Sequence, residues 1–145
     1  MFKVFLDANI IADTYDENRH TCRDSQNAIE ILLQDKSVEI FTSCDIIITL
    51  YYILSKKGKE LALNAILDIN ELCTVVDFAN DEIFQSCQLM KKNKLFKDLE
   101  DTIQYVMAKK IGADLILSND KGFVSTDIKL MTTPSFNLEH TQGKT

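Results

Sequence analysis

Lys3-Val4-Phe5-Leu6 runs without a break into Asp7-Ala8-Asn9, an apolar segment that stops abruptly at an acid. Consecutive apolar residues with no polar alternation describe a strand buried on both faces, and such strands belong to parallel sheets covered by helices. The same pattern recurs downstream. Thr21 to Gln34 carries Ala28, Ile29, Ile31, Leu32 and Leu33 at helical spacing, and Val38 to Phe41 is a second short strand closed by Thr42-Ser43. Cys44 to Lys57 reads as a nearly buried helix whose polar positions Asp45, Thr49, Tyr52 and Lys56 share one face. Gly58 breaks it before a helix over Lys59 to Leu72, followed by a strand from Cys73 to Asp77. Asn80-Asp81 caps a helix reaching about Asn93. Asp98-Leu99-Glu100-Asp101 opens another, with Ile103, Val106, Met107 and Ile111 at core spacing and Gly112 as its stop, and Leu115 to Leu117 is a strand. Strands alternating with helices predict an α/β domain with a mostly parallel central sheet and helices on both faces. Residues 1–133 form this single domain, and the polar, aperiodic residues 134–145 are expected to be a loosely held tail.

Composition removes several classes of function. With 145 residues and a net charge of −6 the chain suits one globular domain. Cys22, Cys44, Cys73 and Cys87 are widely spaced and include no Cys-x-x-Cys pair, which argues against a zinc ribbon or redox motif and for a reducing, cytoplasmic setting. No apolar run is long enough to span a bilayer, and Met1 to Leu6 is too short for a secretory leader. Four glycines and no Gly-rich phosphate loop exclude P-loop and dinucleotide-binding chemistry. The acidic balance denies the chain a broad electrostatic grip on nucleic acid while leaving room for local basic patches.

In an open parallel sheet, ligands bind beyond the carboxyl ends of the strands. Asp7 directly follows the first strand, Asp120 follows Leu115-Ile116-Leu117, and Glu100 and Asp101 open the helix before that strand. Each acid alone has a structural reading: Asp7 and Asp120 as turn residues, Glu100 and Asp101 as favourable charges at a helix N-terminus. Together they describe carboxylates that repel unless a cation or a shared proton relieves them, and hard oxygen donors suit magnesium or manganese. With no His cluster, thiolate pair or Ser/His/Asp set, metal-assisted phosphodiester hydrolysis is the chemistry this donor set serves. His20 and His140 read as surface residues.

The segments Phe5-Leu6-Asp7-Ala8-Asn9, Leu99-Glu100-Asp101-Thr102-Ile103-Gln104-Tyr105 and Ile116-Leu117-Ser118-Asn119-Asp120-Lys121-Gly122-Phe123 resemble, in order and spacing, the acidic motifs of the PIN-domain family, most closely its VapC-like toxins. The resemblance runs from Lys3 to about Pro134. It implies a three-layer, Rossmann-like α/β/α fold and a Mg2+- or Mn2+-dependent endoribonuclease with Asp7, Asp101 and Asp120 as the catalytic and metal-site acids. In-line attack by water would leave a 5′-phosphate. Asn9 matches a polar position beside the first acid, and Ser118 stands where the family carries Thr or Ser. The implied partners are an RNA substrate such as tRNA, a cognate antitoxin and a second copy of the chain in a homodimer.

One position departs from the pattern. Family members commonly carry a Glu in the helix after the second strand, where this chain has Thr49, which holds a water but supplies no charge. Asp45, one turn earlier, whose favoured reading is the N-terminal cap of its helix, and Glu100, beside Asp101, are the candidates to compensate. Local phosphate contacts could come from Lys56, Lys57 and Lys59, from Lys91, Lys92, Lys94 and Lys97, or from Lys121 next to Asp120, although solvated helix faces are the favoured reading of the two clusters. The competing reading is a PIN domain that lost catalysis with its Glu and binds RNA or protein without cutting. A phospho-acceptor receiver or an Asp-x-Asp phosphatase fits less well, because Asp7 is followed by Ala8 and Asn9.

Overall fold

The computed structural model describes residues 1–142, with the side chain of Gln142 left aside. Five strands, β1 (Phe2–Leu6), β2 (Val38–Ser43), β3 (Thr74–Val76), β4 (Leu115–Leu117) and β5 (Lys129–Met131), form one sheet in the order β3-β2-β1-β4-β5. Every pairing is parallel, with Phe5 opposite Phe41 on one side and Ile116 on the other. The apolar β1 is the central strand, and Val4, Phe5 and Leu6 have no exposed surface. Side chains alternate across a strand, so Val4 and Leu6 enter one core and Phe5 the other.

The first core is covered by α1 (Ala8–Thr14), α2 (Cys22–Gln34), α3 (Asp45–Leu54), α4 (Lys59–Leu72) and α7 (Thr133–Gln142), whose Ile10, Leu32, Leu50, Ile69 and Phe136 pack with Val4 and Leu6. The second is covered by α5 (Asn80–Lys92) and α6 (Leu99–Lys110), where Met107 and Ala108 close on Phe5 and Ile116. This is the expected three-layer α/β/α arrangement. Among the described residues no helix is long and apolar enough to cross a membrane.

The tail expected after residue 133 is not observed over its described part. Thr133–Gln142 is helix α7, and only residues 143–145 lie outside the described residues. The Thr132 hydroxyl accepts the Ser135 N–H at 3.3 Å, Pro134 occupies the first turn where its missing N–H costs nothing, and Phe136 is buried in the first core. Asn137 Nδ2 also donates to the Asp24 carbonyl at 2.8 Å, tying α7 to α2. A helix anchored by one buried aromatic has almost no apolar stripe, so its period is silent in the sequence.

Two further elements also went unread. Helix α1 spans only 7 residues and β5 only 3, both too short for periodicity to declare them. The N-terminus of α5 differs in detail: Ala79 occupies the cap position, and Glu82 reaches back to its N–H at 2.8 Å.

Candidate active site

The chain winds from β1 outward to β2 and β3, then returns to the other side of β1 for β4 and β5. The order therefore reverses between β1 and β4, and the crevice of an open α/β sheet opens beyond the carboxyl ends of those two strands. Asp7 stands there, its N–H bonded to the Leu117 carbonyl at 3.0 Å. It is 1 % exposed. Ser118, the first residue after β4, donates its hydroxyl to Asp7 Oδ2 at 2.8 Å and accepts the Asp120 N–H at 3.1 Å, so one side chain joins two of the predicted acids.

Burial pushes the Asp7 carboxyl up to about 6, the Ser118 hydroxyl and the Asn9 backbone N–H pull it part of the way back, and the charges of Asp120 and Glu100 raise it again. Asp101, in the first turn of α6, is raised well above the ordinary carboxyl range, first by burial, then by a hydrogen bond and charge shared with Asp120, and then by Asp7 and Asp98. Glu100 is raised by partial burial and by Asp45, Asp98 and Asp120. Three separated segments thus deliver Asp7, Asp101, Asp120 and Glu100 into one another's field. Among the described residues, no cation is among the main groups acting on Asp7, Asp101 or Glu100.

That donor set fits a hard divalent ion, which would relieve the mutual repulsion that contributes to the raised pKa of Asp7, Asp101 and Glu100. Among the described residues no three acidic, imidazole or thiol groups are drawn together tightly enough to chelate an ion directly.

The remaining predicted residues separate. Asn9 is exposed at the rim in the first turn of α1. Thr49 is exposed, and its hydroxyl donates to the Asp45 carbonyl at 3.3 Å, one turn back on its own helix. Asp45 is the first residue of α3 behind Cys44 at the cap, and it accepts the Ser43 hydroxyl. Lys121 is exposed beside Asp120.

Two features escaped the sequence. Gln104, one turn after Asp101, is buried; its Oε1 accepts the Ala8 N–H at 3.3 Å, while its Nε2 has no partner among the described residues. A glutamine at a core position of α6 was the available signal. The second is a hub around Asp13 of α1, which is 3 % exposed. It receives Arg19 Nη1 at 2.8 Å, the Thr21 hydroxyl at 2.8 Å, the Ser25 hydroxyl at 3.4 Å and Asn119 Nδ2 at 3.3 Å. Asn119 Oδ1 in turn accepts the Thr133 N–H at 2.8 Å, so the loop carrying Asp120 is braced against α1, α2 and α7 together.

Comparison with known proteins agrees with this geometry. The model of the PIN domain matches residues 4–129. Ribonuclease VapC1 of Aquifex aeolicus is 48 % identical over 134 residues, covering 92 % of each chain. Among solved structures, VapBC2 of Rickettsia felis, bound to a DNA fragment from its promoter, superposes with a TM-score of 0.67 at 19 % identity, covering 90 % of this chain and 98 % of that one. VapC20 of Mycobacterium tuberculosis, a Sarcin-Ricin loop cleaving toxin, gives 0.63 at 17 % identity over 85 % and 98 %. The structural neighbours share the fold, and the 48 % relative shares the sequence across nearly its whole length. With its acids gathered at the switch point of a five-stranded parallel sheet, the chain belongs to the PIN-domain family, in its VapC-like branch.

Proposed function

We propose that this protein is a divalent-metal-dependent endoribonuclease, the toxin of a toxin and antitoxin pair, with Asp7, Asp101 and Asp120 holding Mg2+ or Mn2+. One observation carries the reading: carboxylates from three separated segments raise one another's pKa where β1 and β4 end. The relative named ribonuclease supports the activity. A bound divalent ion supplies neutralisation of the scissile phosphate and a more acidic attacking water. Ser118 orients Asp7 and the Asp120 loop through its two hydrogen bonds. Gln104 holds the first turn of α1 and offers Nε2 as a donor. Asn9, at the rim, offers its amide to the substrate.

Thr49 is what favours the alternative of a domain that binds without cutting, since it brings no carboxylate. Glu100 answers it: flanked by Asp45 and Asp120, it returns a carboxylate to the rim from α6 instead of α3. Exposed Ile48, Tyr52 and Leu67 on α3 and α4 suit burial by an antitoxin or a second copy. The four free cysteines suit a reducing cytoplasm.

The test is cleavage of a pool of tRNA and other structured RNA by partner-free protein with magnesium, manganese or chelator. Wild type is expected to cut only with metal, and Asp101→Asn to lose about a hundredfold or more in rate. An Asp101→Asn protein that still cuts at the wild-type rate removes the assignment of the site. Inert wild type beside an active control nuclease hands the case to the binding reading.

A further inference from the structure

Beside Asp120, the loop after α1 borders an open hollow of about 420 Å³, to which Asn9, Asn18, Arg19, His20, Asn119 and Asp120 contribute. Asn9 and Asp120 belong to the rim of the acidic site, so the hollow begins where that site ends. Its charge is decisive. Arg19 is its one guanidinium, and it is already held by Asp13 at 2.8 Å and Asp16 at 3.4 Å. With Asp13 and Asp120 also lining the hollow, it carries no cationic excess and is poorly suited to a phosphate.

Hydrogen-bonding groups without a partner among the described residues remain. The side-chain amides of Asn9 and Asn18 are exposed, as is the His20 ring, and none of the three is hydrogen-bonded to another described residue. An amide offers a donor and an acceptor side by side, the pattern that matches the edge of a nucleobase. The surround is rigid: the Asn18 N–H is tethered to Asp16 Oδ1 at 3.1 Å, and Asn119 is fixed by Ser25 at 3.2 Å and Thr133 at 2.9 Å. A preorganised wall loses little freedom on binding.

Building on the nuclease reading, we propose that this hollow is a base-selective subsite. It takes the unstacked base of the nucleotide adjoining the cleaved phosphodiester, with Asn18 and His20 reading its edge and Asn9 at the boundary with the acidic rim. Selective recognition of RNA works on such splayed, unpaired bases. A hollow of similar volume at the amino ends of the strands, between Phe2, Val38 and Phe136, touches none of Asp7, Glu100, Asp101 and Asp120 and has no such relation to the reaction.

The experiment compares wild type with Asn18→Ala and with the Asn18→Ala, His20→Ala double variant on short single-stranded RNAs randomised on both sides of the cut, with magnesium. Wild type is expected to prefer particular bases at one position flanking the cut. Asn18→Ala should reduce discrimination at that position by roughly tenfold and leave the other positions and the melting temperature unchanged. An unselective wild type, an unchanged variant profile, or an equal loss on every sequence overturns the subsite. A parallel arm measures binding of the same RNAs by Asp101→Asn protein with and without Asn18→Ala. If wild type fails to cut at all, the nuclease reading falls, and this arm decides the subsite: base-dependent affinity flattened by Asn18→Ala supports it, and uniform affinity overturns it.

Discussion

Asp7 and Asp13 stand six residues apart, at the start and near the end of α1, both nearly inaccessible to solvent, and the protein treats them in opposite ways. Asp13 receives a guanidinium, two hydroxyls and an amide. Asp7 receives the Ser118 hydroxyl and the Asn9 backbone N–H, no cation among the described residues, and faces Asp120 and Glu100. A buried charge is ordinarily paired because desolvation is expensive, so Asp13 follows the structural rule and Asp7 breaks it. Conflict retained at one site, while the identical side chain is fully satisfied a helix turn or two away, is the contrast on which the proposed role of Asp7 rests.

The largest effect should come from breaking the satisfied partner. Asp13→Ala leaves Arg19, Thr21, Ser25 and Asn119 without their shared acceptor and is expected to destabilise the fold by about 3–5 kcal/mol in urea denaturation, with Arg19, 38 % exposed, holding the loss toward the lower value. A variant within 0.5 kcal/mol of wild type, the order of an ordinary surface change, would remove the hub from the account.

Asp7→Asn should do the reverse. An acid whose folded pKa is raised binds its proton in the folded state while the unfolded chain has already lost it, so its contribution to stability falls as pH rises from 3.8 toward about 6. Without metal, Asn at this position removes that slope, and the variant should gain on wild type between pH 4 and pH 8 by up to roughly 3 kcal/mol. Thermal melts in chelator at the two values check it; a gap that does not move with pH contradicts the buried, repelled carboxylate.

Smaller is the effect expected of Thr49→Glu. The residue is exposed and hydrogen-bonded only to its own helix, so stability should hold, and a carboxylate near Asp45 should tighten the metal dependence of cleavage by roughly threefold to tenfold. A titration of rate against magnesium reads this directly, and weakened metal dependence would mean that Glu100 already fills the role and a further charge only repels.

The acids and the central layer were legible because each is a local pattern: a three-residue apolar run ending in Asp7, and a helix opened by Glu100 and Asp101. Helix α7 was not, because Phe136 alone enters the core and the rest of its surface is polar. The Asp13 hub was illegible for another reason, since Asp13, Arg19, Ser25, Asn119 and Thr133 belong to five segments with no shared spacing. Asp45 reads as a cap from the sequence, yet backbone geometry puts Cys44 in that place.

By itself the sequence determined that the sheet is parallel and doubly covered, and which acids follow its strands, because burial and strand ends leave marks in the order of residues. Only the tertiary structure decided which buried acid is satisfied and which is left in conflict. That depends on the strand order β3-β2-β1-β4-β5, which brings Ser118 and Asp120 to Asp7 across more than a hundred residues. Electrostatic environment is a property of distance in space, and no periodicity along the chain encodes it.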